Sequence, residues 1–386
     1  MAAQPRDVDV AIIGAGVVGL AVAVELSATR RVAVLERRES YGLENSSHNS
    51  GVIHAGIYYP PDWLKTRLCI EGNGLLYRWA EEHGVRTERI GKLIIAVDEN
   101  EVPALRKLQT AAEENGVPDL RLIDAQEVAR LEPDVRAVAA IHSGSSGVID
   151  QIGLMRSYLS VARSNGAMIA FKHEVSALER DGGGMIVTFR DPAGEQSTLA
   201  AGALVNSAGL AAARVAAMLG YPLDGSDATP RFRVSVNKGR YYDVVTPAKA
   251  KLLRRLIYPL PHQDRSGLGV HVTLDVDGSV HLGPDTEWLR EGAPLDYRSD
   301  DTRRQAFVES ARRYLPWLTA DDLLPGQVGY RTKLYSEGEP PSDFLIWHDR
   351  GYVHLGGIES PGMTASLAIA ARVRELLSDP QADHHV

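Results

Sequence analysis

The feature that most constrains the fold is a strand that runs into a glycine-rich turn and hands over to a helix. It lies in Asp7-Val-Asp-Val-Ala-Ile-Ile-Gly14-Ala-Gly16-Val-Val18-Gly19. An Ala/Val/Leu-rich stretch and a second apolar strand, Arg31-Val-Ala-Val-Leu-Glu36, follow it. Each part has a physical task. Gly14 permits the tight turn, Gly16 lets the backbone approach a pyrophosphate, and Gly19 lets the helix pack closely on the strand. The first helical turn, with Val18, presents free N–H groups and the positive end of the helix dipole to phosphate. Glu36, at the tip of the second strand, can accept both hydroxyls of an adenosine ribose. A lone glycine triplet would say little. Strand, glycines, helix, strand and acid in this order predict a Rossmann-like unit that binds a dinucleotide.

The 386 residues suffice for one large or two closely joined domains. A formal charge of −8 without a basic stripe argues against a nucleic-acid partner. No apolar run reaches the ~18 residues of a membrane span. The nearest approach, residues 10–28, is interrupted by glycines and Glu25 and suits a buried strand and helix. The N-terminus lacks the charged-then-apolar pattern of a secretory signal. With one cysteine, Cys69, neither an internal disulfide nor a thiolate metal cluster is available. A cytoplasmic protein is expected, with peripheral membrane contact left open.

After Glu36 a polar loop rich in Ser, Asn and His spans 37–50. Leu64, Leu68, Leu75, Leu76 and Trp79 then space a helix over 62–84. A strand at 92–97, helices at 100–115 and 125–131, and a Gly/Ser-rich crossing at 143–151 follow. Next come a helix at 152–165, a strand at 168–171, and a hairpin whose strands 174–179 and 184–191 meet at Asp181-Gly-Gly-Gly. A buried strand ends at Ala208-Gly209, and a helix spans 210–219. Residues 231–284 are strand-rich, a charged helix is expected at 300–314, a strand at 351–355, and a closing helix at 364–377. The expected architecture is α/β, with a Rossmann-like domain and a second α+β domain on a mixed or antiparallel sheet. The first is assigned residues 1–89, 146–230 and 325–386, and the second 90–145 and 231–324.

Several stretches together resemble the D-amino-acid-oxidase-like FAD oxidoreductase superfamily, and within it the L-2-hydroxyglutarate dehydrogenase/oxidase branch. They are His48-Asn-Ser-Gly-Val-Ile-His54-Ala-Gly-Ile-Tyr58-Tyr59, Leu68-Cys69, Gly91-Lys-Leu-Ile, Ile257-Tyr258-Pro259, Leu268-Gly-Val-His271, Asp277-Gly-Ser, Leu282-Gly-Pro284, and Ser360-Pro361 ahead of Thr364. The likeness runs the length of the chain and implies a GR2-type flavoprotein. Two departures stand out. Asn237-Lys238-Gly239 replaces a Phe-Arg-Gly, and Gly356-Gly357 replaces an Arg-Asn. Arginines are the usual carboxylate clamps, so these changes bear on the far end of the substrate more than on the oxidation.

Glu36-Arg37-Arg38 can be read for NADP, but the N-terminal fingerprint, the absence of a second one and the resemblance favour FAD. Ser46, Ser47, His48, Asn49 and Ser50 fit a polar loop along the pyrophosphate and flavin edge. The resemblance implies backbone contacts from Val175 to the adenine. Ala208 and Gly209 would let backbone approach the diphosphate. The loop through Gly357, Gly362, Met363 and Thr364 can direct N–H groups at the flavin O2/N1 region, where negative charge grows on reduction. Cys69, inside an apolar helical stretch, reads as a buried thiol rather than a covalent flavin anchor.

Dehydrogenating a 2-hydroxy acid requires the C2–H to face flavin N5, the carboxylate to be held and a base to take the hydroxyl proton. Arg331 falls where the superfamily places its substrate arginine and is the expected carboxylate clamp. His54 and His271 are the candidate bases, with Tyr258, Lys238 and Lys333 for the far end. No metal site is expected: His262 and His384-His385 make no ligand set, and 380–386 reads as a frayed end. Ser143-Gly-Ser-Ser-Gly lacks the strand–turn–helix of a nucleophile elbow. The expected reaction oxidises a 2-hydroxy acid, L-2-hydroxyglutarate leading, with oxygen or quinone as acceptor. Oxidation of an amino acid or secondary amine, and a non-catalytic flavoprotein, are the alternatives.

Overall fold

The computed structural model describes residues 5–260 and 269–378. His262, Leu268, His384, His385 and the segment 380–386 lie outside the described residues. The chain divides into two compact units. One comprises Met1–Ser47, Gln151–Val236 and Arg331–Val386, the other His48–Asp150 and Asn237–Tyr330.

The first unit is built on a largely parallel sheet. The strand Val8–Ile13 lies between Val32–Glu36 and Gln196–Asn206, parallel to both. Met168–Phe171 extends the sheet beyond Val32–Glu36, and Tyr352–Gly356 pairs parallel with residues 204–206. A near-continuous apolar run suits a strand covered on both faces, and five of the six residues of Val8–Ile13 are buried. The helix Val17–Ser27 starts directly after Gly16, is apolar around most of its surface, and packs against the helices Gln151–Ser164 and Ser366–Ser378. The hairpin of Glu174–Asp181 and Gly184–Arg190 joins antiparallel through residues 196–201, which leaves Glu174–Asp181 at the sheet edge.

In the second unit the main sheet runs Glu287–Trp288, Ser235–Val244, Val280–Gly283, His271–Leu274, Leu256–Pro259, Lys92–Ala96, Ala139–Ser143, Leu120–Asp124. Leu256–Pro259 and Lys92–Ala96 are parallel, while the pairs flanking them are antiparallel. Period-two alternation divides the core between the faces. Leu93, Ile95, Ile257 and Val272 pack with Phe307, Val308 and Ala311. Ile94, Ala96, Leu256 and Tyr258 pack with Val52, Ala55, Ile57 and Leu105.

Two expectations need correction, and one strand was not expected. Residues 48–89, assigned to the first domain, belong to the second unit. Val52–Ile53 and Thr87–Glu88 both pair with Gly147–Ile149, and Asn73 Nδ2 donates to the carbonyls of His54 and Ser145. The charged helix is confined to Arg304–Ala311, because Asp300 accepts from the Thr302 N–H in a local turn that holds the chain out of the helix. Residues Leu323–Lys333 form a long strand that Pro325, Gly326 and Gly329 disguise in the sequence.

Candidate active site

In the first unit a cleft opens at the carboxyl ends of the parallel strands, where such sheets bind ligands. It is lined by Gly14, Gly16, Glu36, Arg37, Ser46, Val175, Ala208 and Gly209, all expected from the sequence, and also by Arg38, Glu44, Asn45, His173 and Arg214. Close approach explains the glycines. A Cβ on Gly14 would lie 2.7 Å from the Ser207 carbonyl oxygen, and one on Gly16 would lie 2.9 Å from Ser46 Oγ. Gly19 does not line the cleft. A Cβ there would collide with the Gly14 carbonyl, so its role is helix-to-turn packing. Val18 is half-buried in the first helical turn and is likewise outside the lining.

Glu36 closes this cradle. Its carboxylate accepts from the Ala15 N–H at 2.9 Å and the Arg38 N–H at 2.7 Å, which fixes the acid at the tip of its strand. Arg37 Nε and Nη2 reach Glu44 Oε1 at 3.1 and 2.5 Å, and Arg38 Nε reaches the same oxygen at 2.9 Å. Both arginine heads are thus engaged by a carboxylate, which disfavours a clamp for a ribose 2′-phosphate. Ser46 Oγ accepts from Val17 N–H at 3.0 Å and ties the polar loop to the helix start. Val175 lies on the edge strand, whose outer backbone groups face away from the ladder, as an adenine contact requires.

Gly357, Gly362, Met363 and Thr364 are not brought into this cleft. They form the loop after Tyr352–Gly356, at the carboxyl end of the same sheet. Gly357 has φ +61°, and Thr364 is fully buried. The helix begins at Ser366 rather than Thr364. Of the expected polar loop, Ser46 and Ser47 belong to the first unit and His48, Asn49 and Ser50 to the second. Within the second unit Asn49 accepts from Gln327 Nε2 and from the Gly51 N–H, and His48 lies 4.4 Å from the Tyr297 ring.

The second unit gathers the candidate bases. His54 follows the short strand Val52–Ile53, with its backbone carbonyl held by Asn73. His271 stacks on Tyr258 with ring centroids 3.8 Å apart. Burial, then the Lys92 ammonium and His271, hold the His54 imidazole well below its usual range and therefore neutral near pH 7. Lys92 and Asn73 were not expected at the site. A lysine opening a five-residue strand that is otherwise apolar was the available signal for the first. Cys69 is fully buried, and burial pushes its thiol up to about 12, as for a structural thiol.

Arg331, in the first unit, lies on the strand Leu323–Lys333. Lys333, on the same strand, pairs with Glu359 at 2.5 Å. Burial lowers that ammonium despite Glu359, and Arg331 lowers it further. Lys238 lies 3.6 Å from Asp300, which also pairs with the buried Arg240. Both lysines expected at the substrate's far end therefore have carboxylate partners. Among the described residues no group of His, Cys, Asp and Glu is placed to hold a metal, and no helix is long and apolar enough to cross a membrane.

Comparison with known proteins agrees with this geometry. The model of the FAD dependent oxidoreductase family matches residues 9–376. The chain is 37% identical to L-2-hydroxyglutarate dehydrogenase, mitochondrial, of Arabidopsis thaliana, over 95% of this chain and 82% of that protein. It is 30% identical to the human protein of the same name, over 97% and 89%, and 28% identical to the Escherichia coli L-2-hydroxyglutarate dehydrogenase, over 95% and 92%. Among solved structures, FAD-bound L-alpha-glycerophosphate oxidase of Mycoplasma pneumoniae superposes with a TM-score of 0.83 at 25% identity, covering 98% and 97% of the two chains. Glycine oxidase of Geobacillus kaustophilus shares the fold, with a TM-score of 0.78 at 21% identity over 98% and 96%. With its glycine cradle, ribose acid and near-complete match to the family model, the chain belongs to the FAD dependent oxidoreductase family.

Proposed function

We propose that the protein oxidises the C2 hydroxyl of a small 2-hydroxy acid, and that L-2-hydroxyglutarate, converted to 2-oxoglutarate, is its substrate. The first unit is read as the cofactor unit and the second as the substrate unit. The relatives' names support the substrate over nearly the full length of the chain. One observation carries the chemistry: His54 is an imidazole kept neutral by its surroundings. An alcohol, unlike a neutral amine, cannot be oxidised to a carbonyl without a group that removes its hydroxyl proton.

FAD would be held by Gly14, Gly16, Glu36, Ser46, Val175, Ala208 and Gly209 and would supply the two-electron acceptor. Arg331 is read as the bidentate clamp on the C1 carboxylate, which fixes the face of C2 presented for oxidation. His54 takes the hydroxyl proton, with His271 as the second candidate. Tyr258 stacks on His271 and orients its ring. Lys238 and Lys333 reach the far end only in competition with Asp300 and Glu359.

Anaerobic reduction of the bound flavin by a panel of 2-hydroxy acids and amino acids tests the reading. Bleaching by L-2-hydroxyglutarate and not by glycine, proline or sarcosine supports it. The converse result establishes amine oxidation, and a flavin that nothing bleaches establishes a non-catalytic flavoprotein. Reoxidation by oxygen or by a quinone identifies the acceptor, and vesicle co-sedimentation tests peripheral membrane contact.

A further inference from the structure

Lys92 is a buried charge whose field helps to keep His54 neutral and whose own counter-charge is supplied by none of the described residues. It opens the strand Lys92–Ala96, all of whose residues are buried, and is itself 1% exposed. Its ammonium lies 4.2 Å from the centroid of the Tyr258 ring and 6.0 Å from that of Tyr58. Neither ring brings a counter-charge, because burial keeps both phenols protonated. Among the described residues no carboxylate, carbonyl or hydroxyl bonds to this ammonium, whereas Lys238 and Lys333 are matched to Asp300 and Glu359. Tyrosine faces offset only part of the cost of burying a cation. Burial accordingly lowers Lys92 to about 8, so that it still carries its proton at neutral pH.

The surroundings contain further unsatisfied groups. The Tyr58 hydroxyl and Thr273 Oγ1 are buried without a hydrogen-bond partner. Strand alternation puts Lys92, Tyr258, His271 and Thr273 on one face of the sheet, because Ile257 and Val272 pair on the other. His54, whose imidazole feels the Lys92 charge, completes the cluster. A buried cation without an anion, near the ring of a tyrosine whose hydroxyl has no partner, is complementary to a carboxylate.

We propose that Lys92, whose ammonium lies 6.0 Å from the Tyr58 ring centroid, is the site that takes the second carboxylate of a 2-hydroxy dicarboxylate substrate. The assignment rests on the 2-hydroxy acid reading and deepens it. It supplies a cation for the far end of the substrate in a chain whose Lys238 and Lys333 are already matched to Asp300 and Glu359. A neutral group of the same size would leave the ammonium and the hydroxyl unpaired, so the site selects by charge.

The test compares L-2-hydroxyglutarate with 2-hydroxyvalerate and with the 5-amide of 2-hydroxyglutarate, using the FAD-loaded enzyme. The wild-type protein should prefer the dicarboxylate by about 100-fold in kcat/KM. Lys92→Met, close in volume and uncharged, should abolish most of that preference through KM. It should weaken glutarate binding, followed by flavin absorbance, by about 100-fold, and lower kcat/KM for L-2-hydroxyglutarate about 100-fold more than for 2-hydroxyvalerate. Its Tm should be unchanged or higher, since an unpaired buried charge is removed. Tyr58→Phe, the second variant, should reduce the preference about tenfold. If the wild type turns over 2-hydroxyglutarate but does not discriminate against the amide, the Lys92 assignment is overturned while the reaction stands. Equal loss on all three substrates in Lys92→Met, or a shifted pH–rate profile with the preference intact, overturns it too and makes Lys92 a positioning residue for His54. If no 2-hydroxy acid bleaches the wild-type flavin, the reaction falls, and the assignment with it.

Discussion

At the scale of single residues, the same physics gives buried charges opposite outcomes. His54 is kept neutral by burial and by Lys92, which suits a base that must accept a proton. His54→Gln should therefore slow anaerobic flavin reduction by 2-hydroxyglutarate about 10²–10⁴-fold. The Kd for 2-oxoglutarate, measured by flavin perturbation, should change by no more than about threefold. His281 is the counter-example. Its Nδ1 lies 2.7 Å from Asp243 Oδ1 and its Nε2 3.1 Å from Asp275 Oδ2. Burial opposes the charge, but the two carboxylates outweigh it and raise the pKa to about 9. A pKa raised on folding gives stability that is complete below the unfolded value near 6.5 and is lost as pH rises through 9. With both carboxylates partly exposed, the gain is on the order of 2 kcal/mol. Urea unfolding of wild type and His281→Gln should differ by that amount at pH 6, and the gap should close by pH 10.

At the scale of elements, the strand–turn–helix of the first unit depends on one contact. The helix Val17–Ser27 approaches the Gly14 turn so closely that a side chain at Gly19 would meet the Gly14 carbonyl. Gly19→Ala should force the helix away from the strand, cost about 3 kcal/mol and release FAD on gel filtration. Retention of full FAD occupancy would show that the turn yields more easily than this packing implies. Elements of this kind were legible in the sequence because their signal is local. The fingerprint strand and the strand Met168–Phe171 announce themselves by apolar runs, and the hairpin by Asp181-Gly-Gly-Gly. Leu323–Lys333 was not legible. Its proline and glycines carry no strand signal, and only pairing with Ser235–Val244 makes it a strand.

At the scale of the whole molecule, both units are assembled from separated segments, three for the first and two for the second. The FAD cleft draws on strand ends distant in sequence, so the cofactor binds the folded chain and not the unfolded one. Added FAD should raise unfolding stability by about 2.7 kcal/mol at a free concentration 100 times its Kd. A thermal shift independent of FAD concentration would contradict a site made only by the folded state. The sequence by itself determined the Gly14 turn and Glu36, because a positive φ and an acid at a strand tip are demands that act between neighbours along the chain, and its quoted stretches carried the family resemblance. It also named His54, His271 and Arg331 as candidates. Only the tertiary structure decided that residues 48–89 belong to the second unit, that the heads of Arg37 and Arg38 converge on Glu44, and that Lys238 and Lys333 are paired. It alone left Lys92 buried against two tyrosine faces. Pairing and burial depend on which distant segments meet, and a lysine in an apolar strand carries no mark of whether a carboxylate will fold against it.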